Sequence, residues 1–203
     1  MTRKFLDNVY DHIGKGIETF YDDWADTYEA EVGENGYVTP ARCARALAAH
    51  MPDKALPVLD FGCGTGLSGL ALRAEGITDL HGMDLSAEML AKARTKNLYQ
   101  SLQQIAADAP LPFETGAYAA IAAIGVIGPG AAPLELFDIL LAKLAPGGLF
   151  VLSFNDHALE DPAYAAKVTA CAEAGSLRVL EQEHGPHLPA RNINSTAYLL
   201  EKL

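Results

Sequence analysis

The sequence predicts an α/β fold, a doubly wound, open and mostly parallel sheet with helices on both faces. Two observations predict it. From Leu56 onward, short apolar runs alternate with segments of helical periodicity, the pattern of consecutive strand–helix–strand units. Glycine and proline stand where those units change direction, at Gly76, Gly128-Pro129-Gly130, Pro146 and Gly175. With 203 residues, half of them hydrophobic, the chain suits a single domain around one core. Residues 1–52 read as a helical cap, 56–154 as the sheet core and 155–203 as a pair of C-terminal strands with a flanking wall.

Taken in order, the cap carries Ile17, Phe20, Tyr21, Trp24 and Tyr28 as a stripe at helical spacing, first of all a core-facing surface. "ALPVLDF" is a short buried strand, and "GLSGLALRAEG" a helix that Gly76 closes in a left-handed conformation. "TDLHGMD" is the second strand; Ser86 caps the helix "AEMLAKARTK", with Glu88 in its first turn. "LQQIAAD" and "AYAAIAAIGVI" are the third and fourth strands. Pro133 opens "PLELFDILLAKL", whose Leu134, Phe137, Leu141 and Leu144 share one face. "GGLFVLSF" is the fifth strand, and Asp161-Pro162 opens a helix that ends at Gly175. "SLRVLEQEH" and "INSTAYLLEKL" are two strands joined by the loop "GPHLPAR", an antiparallel pair.

Charge narrows the partners. Fifteen Lys and Arg stand against 26 Asp and Glu, a net charge of -11, which disfavours nucleic acid and anionic membrane surfaces. Cys43, Cys63 and Cys171 are scattered, so neither a disulfide framework nor a metal site is expected. The stretch beginning "MTRKFLDNVY" has no apolar run, and "AYAAIAAIGVIGPGAAPLELF" is broken by Gly128-Pro129-Gly130. The expectation is a cytoplasmic protein with no membrane partner.

The stretch "VLDFGCGTGLSGL" can be read two ways. Gly62, Gly64 and Gly66 alternate as in a loop that admits a nucleoside ligand to the backbone, while "GTGLSG" also satisfies the G-x-G-x-x-G dinucleotide pattern. Asp60 ends the strand just before the glycines, where a diphosphate would meet a like charge in a partly desolvated cleft. An ammonium and a sulfonium would be attracted instead, and S-adenosylmethionine carries both with no phosphate. Asp84 ends the second strand, where an acid can accept from both ribose hydroxyls of either ligand. Asp108, in "AADAPLPF", stands where a carboxylate could accept from an adenine amino group. Three acids at three successive strand ends, together with the glycines, point to a cationic amino-acid nucleoside.

"VLDFGCGTG", "GMDLSAEMLAKAR", "AADAPLPF" and "LAPGGLFVLSF", in this order and spacing, resemble the class I S-adenosylmethionine (SAM)-dependent methyltransferases across about Tyr21 to Phe154. "YDDWADTYE" resembles the segment before the sheet in small-molecule members, such as those of ubiquinone and menaquinone biosynthesis. It is similar, more weakly, to the methyltransferase-like group named after the Williams–Beuren syndrome region. The resemblance implies a Rossmann-like seven-stranded sheet with an antiparallel last strand and a helical N-terminal extension. It implies that Asp60, Gly62, Gly64 and Gly66 cradle the methionine part, that Asp84 binds the ribose, and that Asp108 and Ala109 meet the adenine between Leu85 and Met89. Tyr28 would cover SAM from the N-terminal side, and the carbonyl side of Ile124-Gly125 would face the methyl donor. The chain departs from the family in having no acid in "AYAAIAA" and "GVIGPGAAP" in place of the Asn/Asp-Pro-Pro-aromatic motif of base and glutamine methylation.

Methyl transfer from a sulfonium asks mainly for alignment and exclusion of water, with a base only for acceptors that carry a high-pKa proton. His157 follows the fifth strand beside Asn155 and Asp156 and is the candidate base; His184 and His187 flank the last loop, and each is otherwise a surface residue. Three functions follow: a methyltransferase acting on a small molecule, an NAD(P)-dependent oxidoreductase supported by "GTGLSG" and Asp84, and a non-catalytic SAM-binding regulator.

Overall fold

A computed structural model describes residues 5–7 and 16–203. Seven strands form one sheet: β1 (Val58–Phe61), β2 (Leu80–Asp84), β3 (Ser101–Gln104), β4 (Ala120–Ala123), β5 (Leu149–Asn155), β6 (Leu177–Leu188) and β7 (Ile193–Lys202). Their spatial order is β3-β2-β1-β4-β5-β7-β6, with the first five parallel and β7 antiparallel to both its neighbours. The helices are α1 (Ile17–Trp24), α2 (Tyr28–Glu34), α3 (Thr39–His50), α4 (Leu67–Ala74), α5 (Ala87–Thr95), α6 (Glu135–Ala142), α7 (Asp156–Leu159) and α8 (Pro162–Glu173). Among the described residues no helix is long and apolar enough to cross a membrane.

Strand periodicity builds two cores on the two faces of one sheet. Leu59, Phe61, Ile121, Phe150, Leu152 and Phe154 pack on one face with Phe137 and Leu140 of α6. Their neighbours Val58, Ala120, Ala122, Leu149 and Val151 face the other way, onto Cys43, Ala44 and Leu47 of α3 and Leu72 of α4. A third cluster joins Phe20, Trp24 and Val32 to Met89 of α5 and Leu188 of β6, so the N-terminal helices lie over the carboxyl ends of the strands.

Three elements differ from the sequence reading. The aromatic stripe is split between α1 and α2, because Thr27 bonds Glu31 through its hydroxyl (2.6 Å) and its carbonyl (2.9 Å) and so starts a new helix. β3 stops at Gln104, and of "IAAD" only Ala107 and Asp108 lie in a turn, the first two residues being irregular. β6 runs on to Leu188 through the expected loop, pairing Pro186 with Asn194 and Leu188 with Ile193 across two bulges. Pro186 is tolerated because β6 is an edge strand. A 3-10 turn at Pro189–Arg191 and Asn192 with φ 54° then reverse the chain into β7.

Candidate active site

β1 turns into α4 through glycines with φ of +67° (Gly62), +53° (Gly64) and +94° (Gly66), the left-handed region that side chains avoid. A Cβ on Gly62 would stand 2.5 Å from Val126 Cγ2, whereas one on Gly64 would meet nothing within 4 Å, because Gly64 lines a cavity. The loop amides are already engaged. Gly62 and Cys63 donate to the Met83 carbonyl (2.8 and 3.0 Å), Gly66 donates to the Cys63 carbonyl (2.8 Å), and Gly64 donates to Asp84 Oδ2 (2.7 Å). A diphosphate site needs amides free to point at the ligand. Here those amides are taken up by protein acceptors, which disfavours a diphosphate at this loop.

Asp84 ends β2, and its Oδ1 accepts from the Ser86 amide at 2.9 Å. Burial pushes its carboxyl above the ordinary range, opposed by the amides of Ser86, Gly64 and Leu85. It lines a cavity of about 380 Å³, within the ~300–1,000 Å³ of small-molecule sites. Gly62 and Gly64 line the cavity with it, Leu85, Met89, Ile105, Ala106 and Ala109 give it apolar walls, and Ile124 and Tyr28 also line it. No Lys or Arg of the described residues lines it.

A second cavity, of about 80 Å³, lies under α1 and α2 and shares Tyr21, Tyr28, Gly125 and Ala131 with the first. Trp24, Tyr37, Ser153, Asn155 and His187 are among its other lining residues. His187 reaches it because β6 runs past the expected loop: its carbonyl accepts from the Val38 amide (3.2 Å), and its Nδ1 lies 2.8 Å from Thr39 Oγ1 at the start of α3. Burial, reinforced by the nearby Arg42 charge and opposed by Asp156, pushes the imidazole down to about 4.

Four predicted residues fall elsewhere. Asp60 is buried beneath the glycine loop, where its Oδ2 accepts from Ser68 Oγ and the Tyr99 hydroxyl, both at 2.7 Å, and it lines neither cavity. The acids that line the larger cavity are Asp84 and Glu135. Gly66 is the N-terminal cap of α4 and shapes the loop from behind. Asp108 is exposed and off the cavity wall, because β3 ends four residues earlier. His157 lines neither cavity: Asn155 caps α7 immediately after β5, and the His157 side chain is 42% exposed and 3.4 Å from Glu160. The remaining predicted residues, Tyr28, Gly62, Gly64, Asp84, Leu85, Met89, Ala109 and Ile124, line the larger cavity.

Sequence reasoning missed Tyr37, Tyr99 and Ser153. Tyr99 and Ser153 carry no local signal, and Tyr37 shows only as an aromatic just before the Thr-Pro that opens α3.

The larger cavity suits SAM by its donor set: one carboxylate at the end of β2 for the ribose, apolar walls for the adenine, open space at Gly64, and no cation to meet a phosphate. Comparison with known proteins agrees. Residues 36–197 match the methyltransferase domain family. Methyltransferase-like protein 27 of Homo sapiens is 35% identical over 137 residues, 66% of this chain and 56% of that protein. The 18S rRNA (guanine(1575)-N(7))-methyltransferase of Saccharomyces cerevisiae is 34% identical over 125 residues, 55% of this chain and 46% of that protein. The chain thus spans about half the length of the curated relatives it matches. A SAM-dependent methyltransferase from Thiobacillus denitrificans, solved with S-adenosyl-L-homocysteine, shares the fold at 13% identity, with a TM-score of 0.55 over 80% of this chain and 91% of that one. By sequence match and by fold, the chain belongs to the methyltransferase domain family, the class I SAM-dependent methyltransferases, and its cofactor is S-adenosylmethionine.

Proposed function

We propose that this chain is a single methyltransferase domain, with cap 1–52, core 56–154 and acceptor-side wall 155–203, that methylates a small molecule in the cytoplasm. The observation that carries this reading is the meeting of two cavities at Tyr21, Tyr28, Gly125 and Ala131, one of a size and lining for the cofactor and one just beyond it for an acceptor's reacting end. Its relatives include an enzyme named for 18S rRNA. Here, however, the smaller cavity lies under aromatic side chains, and the net charge of -11 repels a nucleic-acid backbone. The free thiols of Cys43, Cys63 and Cys171 are consistent with a reducing compartment.

When bound, SAM supplies an electrophilic methyl on a sulfonium. Asp84 would hold the ribose hydroxyls, and Leu85 and Met89 would enclose the adenine. The glycine loop would lie along the methionine part, with Asp60 supporting it from beneath. Tyr28, shared by both cavities, would separate the site from water and align acceptor with donor. That alignment alone can lower a barrier by ~7–11 kcal/mol.

The test is calorimetric titration with S-adenosylhomocysteine, NAD and NADP for wild type and Asp84→Ala. The expected result is binding of S-adenosylhomocysteine alone, weakened by about tenfold or more in the variant, because a hydrogen bond to a charged group is lost. Binding of a dinucleotide alone would overturn the reading in favour of an oxidoreductase. Binding without turnover of any acceptor would leave a SAM-binding regulator.

A further inference from the structure

The smaller cavity collects polar groups that point to one kind of acceptor. Trp24 lines it with the ring, its indole nitrogen being buried away from the open space. The Tyr37 hydroxyl stands 2.8 Å from the position a Cβ on Gly125 would take, beside the junction of the two cavities. The Tyr37 ring meets His187 edge to face at 5.1 Å. No Asp, Glu, Lys or Arg of the described residues lines this cavity.

The direction of a buried hydrogen-bond chain decides what His187 offers. Arg42 Nη1 donates to Ser195 Oγ (3.1 Å), which lies 3.0 Å from Thr39 Oγ1, which lies 2.8 Å from His187 Nδ1. Ser195 is fully buried, and among the described residues Thr39 Oγ1 is the only acceptor within reach of its proton. Ser195 therefore donates to Thr39, and Thr39 donates to Nδ1; the reverse order would strand a buried hydroxyl proton. The imidazole consequently carries its proton on Nε2, as a donor, and its depressed pKa keeps the ring neutral near pH 7.

We propose that the smaller cavity binds the carboxylate of a small acceptor, with His187 Nε2–H and the Tyr37 and Tyr28 hydroxyls as neutral donors to its oxygens. This rests on the methyl-transfer reading and extends it to the acceptor's chemical class. A carboxylate accepts up to about four hydrogen bonds, so the three donors hold it and leave a lone pair free to attack the methyl. An ammonium has no acceptor and would leave the imidazole N–H unpaired. At about 80 Å³ the cavity is roughly half the ~150 Å³ apolar cavity that admits benzene, so it takes a carboxylate head rather than a ring. The chemistry needs no base. A lone pair of the bound oxygen forms the O–C bond while the C–S bond of the sulfonium breaks with its electron pair going to sulfur. The anionic and cationic charges cancel, and no proton moves.

Trp24 is the single tryptophan of the chain, so its fluorescence reads this cavity directly. The experiment titrates protein saturated with S-adenosylhomocysteine with butyrate, butyramide and butylamine, having first confirmed the nucleoside's binding by calorimetry. The expected result is a saturable change with butyrate, at least about tenfold weaker with the amide and the amine. Tyr37→Phe should weaken butyrate about tenfold while leaving S-adenosylhomocysteine affinity unchanged. Nitrogen-15 spectra of the wild-type histidines, with His187 assigned through His187→Gln, should show a neutral ring protonated on Nε2. Butylamine binding as tightly as butyrate, no response to butyrate while the nucleoside binds, or a proton on Nδ1 would each overturn the proposal. Failure of the nucleoside itself to bind would instead overturn the methyl-transfer reading.

Discussion

Asp60 and Asp84 have the same side chain at adjacent strand ends and opposite roles. Asp84 reaches the cavity, while Asp60 is sealed beneath the loop with Oδ1 buried and unpaired, and burial pushes its carboxyl up to about 7. The native state therefore keeps a proton that the unfolded chain, with the ordinary value of 3.8, has already released. Stability contributed at this position falls as pH rises from about 4 to about 7 and is level above. Asn at position 60 does not titrate, so wild type should lose roughly 2–4 kcal/mol relative to Asp60→Asn across that window, read by urea denaturation at several pH values. Parallel pH profiles for the two proteins would show that Asp60 is already ionised in the folded chain. The sequence places both acids correctly along the chain. Which one faces a ligand depends on Ser68 and Tyr99, eight and 39 residues away, and no local pattern reports those contacts.

At the scale of elements, capping and periodicity were legible where the chemistry is local. Ser86 was expected to cap α5, and its Oγ accepts from the Met89 amide at 3.0 Å. The same hydroxyl donates to Asp22 Oδ1, tying α5 to α1, a link the sequence does not reveal. Ser86→Ala should cost about 1–2 kcal/mol in urea denaturation. It should also weaken S-adenosylhomocysteine, because α1 carries Tyr21 over the junction of the cavities. Unchanged nucleoside affinity in the destabilised variant would confine Ser86 to the cap. β3 and β6 were misjudged in opposite directions for one reason: strand length is set by the partner. β3 pairs only with β2 and ends with it at Asp84↔Gln104, whereas β6 continues through a proline as far as β7 offers a partner.

At the scale of the whole molecule, charge and topology act together. The net charge of -11 predicts that a fluorescent rRNA fragment will show no anisotropy change with this protein even at low salt, where any electrostatic contact is strongest. Tight binding that falls steeply with salt would redirect the acceptor search to RNA. The amino-acid sequence by itself determined the sheet class, the glycine loop and the place of Asp84 at a strand end, while Leu85, Met89, Ala109 and Ile124 came from the family resemblance and are a minority of the cavity's apolar lining. The first three depend on short-range physics: backbone conformations open to glycine, the two-residue period of buried strands, and an acid at a strand end. Only the tertiary structure decided that Asp60 supports the loop from below, that Asp108 and His157 lie outside both cavities, and that His187 lies inside one. His187 meets Thr39 across 148 positions of sequence, through a register between β6 and β7 that is set by pairing over the length of both strands. Such a contact is specified by the packing of the whole chain, and no segment of it carries that information alone.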